Sequence, residues 1–145
     1  MMSFKDFIAY VVMQISGAIF GCVVANIIFK LPPVTISTLV RHDFSQFLSE
    51  ILATFGLILV IFIGSEVSKQ NIPVLVGSYI ASAYWFTSST SFANPAVTVA
   101  RQFSDTFTGI SPSGVPTFII AQIFGAILGF IVIQWLTNTV IESDY

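Results

Sequence analysis

The chain has 145 residues, 55% of them hydrophobic and only 8% charged, with a mean hydropathy of +0.92 and a formal net charge of -2. So few ionisable groups cannot clothe a water-soluble particle, and the composition is that of an integral membrane protein with room for one domain. It excludes a nucleic-acid surface, because 5 scattered Lys and Arg residues make no phosphate-binding patch, and it excludes a disulfide framework, because Cys22 is the single cysteine.

Four apolar segments reach or approach the roughly 20 helical residues that a bilayer core requires. The first, Phe7 to Phe29, follows Lys5 and is too long for a signal sequence, with no small-x-small cleavage site before Pro32-Pro33 ends it. A polar loop from Thr35 to Ser45 holds Arg41, His42 and Asp43. The second segment, Phe47 to Gly64, runs out in Ser65 to Asn71, and Pro73 suits the first turn of the third, Ile72 to Thr87, so these two form a tight hairpin. The fourth is Val115 to Leu136. The fold class expected is therefore an all-α membrane protein with four transmembrane helices. Lys5 and Lys69 fall on one side of it, Lys30 and Arg41 on the other, so basic residues do not orient it.

Residues 88–114 separate the third and fourth segments and carry Ser91-Phe92-Ala93-Asn94-Pro95-Ala96-Val97. Asn94 is a good N-cap and Pro95 a good first helical residue, which predicts a helix over Pro95 to Phe103. Nine residues span about 13 Å, close to half of a bilayer core. A half-length helix at membrane depth implies a re-entrant loop, tolerated only beside protein or a water-filled cavity, and so predicts a wet path next to Ser91 to Asn94.

An internal repeat links the first and last segments. Gln14-Ile15-Ser16-Gly17-Ala18-Ile19-Phe20-Gly21 matches Gln122-Ile123-Phe124-Gly125-Ala126-Ile127-Leu128-Gly129 at six of eight positions, 108 residues apart. Gly17 with Gly21, and Gly125 with Gly129, have the four-residue spacing that lets membrane helices approach closely. With that offset, a first Asn-Pro-Ala is expected about 15 residues before Met1. The chain then reads as a single partial domain over 1–145: the last helix of one inverted repeat at 7–29 and a complete second repeat at 47–136.

On these residues the chain resembles the aquaporin and glycerol-facilitator family, the major intrinsic proteins, in its last four membrane helices and its second Asn-Pro-Ala loop. The resemblance implies helices three to six of a six-helix inverted-repeat fold, with both termini in the cytoplasm and the half-helix entering from the outer face of the inner (plasma) membrane. It places Asn94, Pro95, Ala96, Val97 and Ser91 along a pore, and it gives Glu50, with Thr54 four residues on, the role of bracing the re-entrant loop. Many family members carry arginine where this chain has Val97, which implies a wider, less polar constriction; Arg101 lies more than a turn further and is read as an interfacial anchor. The strings Ala83-Tyr84-Trp85-Phe86-Thr87 and Ser104-Asp105-Thr106-Phe107 look similar to a bacterial branch associated with arsenical resistance.

The physics of the motif stands without the family: a half-helix N-terminus is partly positive, and Asn94 adds amide donors, so neutral hydrogen-bonding solutes are favoured over cations. The function expected is passive permeation of water, glycerol or neutral metalloid hydroxides, completed by a complementary N-terminal half or by homo-oligomerisation, a tetramer if the resemblance holds. The alternative is a non-conducting remnant or regulatory subunit that packs on full-length channels through its glycines. A secondary transporter lacks a charged midplane residue, and nothing pairs a nucleophile with a base as an enzyme would require. The partners expected are lipid and small neutral solutes, with no cofactor, metal or nucleic acid.

Overall fold

A computed structural model describes residues 2–143; of the expected span 1–145, Met1, Asp144 and Tyr145 lie outside the described residues. Five α-helices account for the architecture, with no strand among the described residues. They are α1 (Phe4–Ile28), α2 (Phe44–Val67), α3 (Ile72–Phe86), α4 (Pro95–Arg101) and α5 (Val115–Ser143). Three of them, α1, α2 and α5, are long and apolar enough to cross a membrane. At 15 residues α3 is about 22 Å long, short of a full hydrocarbon core. The chain divides into two compact units, one of residues 1–42 and 94–119, the other of residues 43–93 and 120–145.

In the first unit α1 has a polar N-cap, Ser3, which is why it begins before the apolar run does. The Ser3 hydroxyl accepts from the Asp6 N–H at 3.2 Å and donates to the Asp6 carboxylate at 2.7 Å. At the other end Lys30 takes a left-handed φ of 58°, and the Leu31 and Lys30 N–H groups return to the Asn26 and Ile27 carbonyls at 2.8 and 3.0 Å. Pro32-Pro33 then prevents any continuation. α1 packs on α4.

The polar stretch after α1 is interlocked with the stretch after α4. Thr35 and Ser37 donate main-chain N–H bonds to the Phe103 and Gln102 carbonyls (3.1 and 2.8 Å), and Ser111 returns one to Leu39 (2.7 Å). Buried Arg41 donates to the Gly109 and Phe107 carbonyls at 2.7 and 2.6 Å. Asp105, which looks like an isolated loop carboxylate in the sequence, accepts from the Thr38 N–H at 2.9 Å and from the Ser37 and Thr38 hydroxyls.

In the second unit α2 is flanked by Asp43 at its N-cap and Ser68 at its C-cap, and a single 3-10 turn, Lys69–Asn71, leads into α3 with Pro73 in its first turn. The expected hairpin is closed by Tyr79, whose hydroxyl donates to the Ala53 carbonyl at 2.9 Å and occupies the space a side chain at Gly56 would need. α5 lies against α2 by the same logic: a Cβ on Gly125 would strike the Ile51 carbonyl and Thr54, and one on Gly129 would meet Ile58 at 3.0 Å. On α1, in contrast, a Cβ at Gly17 or Gly21 meets nothing within 4 Å.

Gly125→Leu is therefore expected to cost about 1–3 kcal/mol through overpacking. The check is thermal unfolding in detergent: the midpoint falls for Gly125→Leu and stays put for Gly17→Leu, whereas equal shifts would contradict the packing described.

Candidate functional site

The segment between α3 and α4 is irregular and strained. Thr90, Ser91 and Ala93 have φ of 65°, 49° and 47°, a left-handed conformation that costs a non-glycine residue about 1–2 kcal/mol. What holds them there is Glu50, in the second turn of α2 and fully buried. Its Oε1 accepts the Phe92 N–H at 2.8 Å, and its Oε2 accepts the Ala93 N–H at 2.9 Å. The Gln122 side-chain amide of α5 donates to the same Oε2 at 2.7 Å. Every peptide here is trans, so each carbonyl points opposite to its N–H; the Ser91 and Phe92 carbonyls are thereby turned away from Glu50. Ser89 adds a bond to the Ser91 N–H at 3.2 Å, and Ser49 pairs with Ser88 at 2.9 Å. The hydroxyls of Thr90 and Ser91 are buried and have no hydrogen-bond partner among the described residues.

In the first unit, Asn94 caps α4. Its Oδ1 accepts the Ala96 N–H at 2.8 Å, and Pro95 takes the first helical position, where its missing N–H costs nothing. The cap commits Oδ1 and leaves the Nδ2 donors without a partner among the described residues. Thr98 secures the turn by donating its hydroxyl to the Asn94 carbonyl at 2.9 Å. The helix is seven residues, not the expected nine, because the Gln102 and Phe103 carbonyls are taken by Ser37, Thr35 and Asn26. Val97 faces a cavity of about 220 Å³ that it shares with Gly21, Cys22, Asn26 and Arg101. Arg101 does not simply reach outward as an anchor: its guanidinium donates to the Thr108 hydroxyl and lines this cavity.

Of the residues singled out in the sequence, Ser91 and Glu50 lie in the second unit, and Asn94, Pro95, Ala96 and Val97 in the first. Ala96 is buried and Pro95 exposed. Among the described residues the Thr54 hydroxyl has no hydrogen-bond partner, in the loop or elsewhere, and its side chain sits against Gly125 of α5. No group of His, Cys, Asp and Glu among the described residues is placed to hold a metal ion.

Over 132 residues, 91% of its length, the chain is 48% identical to the aquaglyceroporin AqpS of Rhizobium meliloti (strain 1021). The chain belongs to the aquaporin family. It spans 57% of that relative's length. No family model matches it, and no solved structure does. As an aquaporin chain with three helices suited to crossing a bilayer, it is a multi-pass membrane protein.

Sequence reasoning did not find Gln122 as a partner of Glu50, nor Asn26, which donates to the Pro33 and Phe103 carbonyls and accepts the Ser104 hydroxyl at 2.7 Å. The available signal was an amide side chain inside an otherwise apolar helix, which must find a partner or pay for its burial.

In this aquaporin, Glu50→Gln replaces one accepting oxygen by a donor that faces another donor. The expected cost is about 1–3 kcal/mol for an orphaned buried N–H. Amide hydrogen exchange at Phe92 and Ala93 should accelerate in the variant; unchanged protection at both would show that Glu50 is not what holds the loop.

Proposed function

We propose that this chain forms one half of the wall of a passive channel for small uncharged solutes such as water, glycerol or neutral metalloid hydroxides, in the inner (plasma) membrane. One observation carries the reading. The Glu50 grip on the Phe92 and Ala93 N–H groups turns the Ser91 and Phe92 carbonyls away from its own carboxyl, the orientation in which they would serve as acceptors along the proposed path. The Ser91 hydroxyl, unpartnered among the described residues, adds a donor in the same unit, and the Asn94 Nδ2 donors are what the first unit contributes to the proposed path. Such a row replaces the hydration of a hydroxylated solute without supplying the charge an ion would need. Asn94, Pro95, Ala96, Val97 and Ser91 are the proposed lining, with Glu50 as the brace.

Val97 supports a constriction wide enough for glycerol, in keeping with the word aquaglyceroporin in the relative's name. The bare Gly17 and Gly21 face of α1 supports completion of the pore by a further polypeptide, either a complementary half or another copy, with a tetramer as the proposed assembly. The same bare face also fits a non-conducting subunit docked on a full-length channel, so flux decides between the two.

The test is stopped-flow swelling of liposomes that contain this chain together with the portion of AqpS outside the matched region. Glycerol permeability should rise above that of lipid alone. It should fall about tenfold, equivalent to ~1.4 kcal/mol of barrier, on Val97→Arg, and likewise on Asn94→Asp. Swelling at the lipid background with the pair assembled would rule out the channel and leave the docked subunit.

A further inference from the structure

We propose that Arg101 forms a binding site for a small carboxylate at the edge of the Val97 cavity. The site goes beyond the channel reading: it holds an anion that a path for uncharged solutes would not pass, and its test is binding rather than flux.

The starting point is a charge without a counter-charge. Arg101 is the last residue of α4, half-buried and about one helical turn beyond Val97. Its guanidinium Nη1 donates to the Thr108 hydroxyl, while Nε and Nη2 have no partner among the described residues. The acid nearest in sequence, Asp105, directs its carboxylate to Ser37 and Thr38 instead. A guanidinium keeps its charge at any ordinary pH, and holding that charge partly out of water without a partner is costly.

The surroundings fix the guanidinium without neutralising it. Ser104 gives its proton to Asn26 Oδ1 at 2.7 Å, so Thr106 is the donor in its 3.3 Å contact with Ser104, and Thr108 the donor in its 3.5 Å contact with Thr106. Every proton in this row points away from Arg101, which is why Thr108 can turn a lone pair toward Nη1. The side-on edge of the fork, Nε with Nη2, is left as two parallel donors, the arrangement that a carboxylate matches with both oxygens.

There is room for the ligand. Arg101 lines the cavity of about 220 Å³ that contains Val97 and a second of about 460 Å³ that contains Asn26, Ser104, Thr106 and Thr108, all within the first unit. Among the described residues no carboxylate lines either cavity. A neutral solute could accept the same hydrogen bonds but would leave the charge uncompensated, so the chemistry selects an anion, and the planar fork selects a carboxylate among anions.

The experiment is a titration of the whole chain in lipid nanodiscs with acetate, and with acetamide as its uncharged counterpart, followed by the nitrogen-15 shift of Arg101 Nε and by binding of carbon-13 acetate. Acetate should shift Nε saturably and acetamide should not. Arg101→Gln should abolish saturable acetate binding, and Arg101→Lys, which keeps the charge and loses the fork, should weaken it about tenfold. Thr108→Val, which frees the guanidinium, should weaken it about threefold, and Lys69→Gln in the other unit should change nothing. Absence of saturation in the wild-type chain, an equal response to acetamide, displacement by chloride at equal concentration, or binding indifferent to Arg101 overturns the proposal. If Arg101→Gln fails to fold, Arg101→Lys and Thr108→Val both binding as wild type overturns it equally. Binding should persist when the portion of AqpS outside the matched region is added; its loss there would identify a counter-charge on that portion and likewise overturn the site. Glycerol flux of the same pair is read separately: acetate binding without flux contradicts the channel alone, and flux without acetate binding contradicts the carboxylate site alone.

Discussion

A single buried carboxyl group, Glu50, organises the irregular segment between α3 and α4 of this aquaporin chain. Main-chain N–H groups at membrane depth must be satisfied by protein, and an irregular segment cannot satisfy its own. Glu50 takes two of them in succession, from Phe92 and Ala93, and a third donor from Gln122. Without an acceptor at that place, the left-handed backbone at Thr90, Ser91 and Ala93 would carry strain and unpaired donors together. The carbonyl orientation on which the proposed permeation rests is the geometric by-product of that grip.

The packing around Glu50 follows from its need to be in one place. α3 is registered on α2 through Tyr79 and the bare position at Gly56, and α5 through Gly125 and Gly129. Close approach of α5 is also what brings the Gln122 amide within hydrogen-bonding range of the carboxyl. In the other unit α4 is anchored at its start by the Asn94 cap. The loop after it is held by Asn26, Arg41 and Asp105, which fasten it to the stretch that follows α1.

Much of this is legible in the residues themselves. Hydropathy finds the helices, though their ends differ by a few residues because capping groups such as Ser3 and Asp43 lie outside the apolar runs. Asn94-Pro95 announces α4, since an N-cap followed by proline has few other uses. Glu50 stands out because an acid within an apolar helix needs a reason. What stays hidden is long-range: that α4 stops at Arg101 while the Phe103 carbonyl beyond it is taken by Asn26, or that Asp105 is claimed by Thr38, 67 residues away. Thr54 shows the opposite error, since its spacing from Glu50 places it on the right face but its height along α2 puts it against α5 rather than the loop.

The central claim is the direct grip of Glu50 on the irregular backbone between α3 and α4. Solid-state NMR of the chain in lipid bilayers, with carbon-13 in the Glu50 carboxyl and nitrogen-15 in the Phe92 and Ala93 amides, measures it through dipolar coupling. The account predicts coupling to both nitrogens, as befits N···O separations of 2.8 and 2.9 Å. Absence of coupling to both would contradict it.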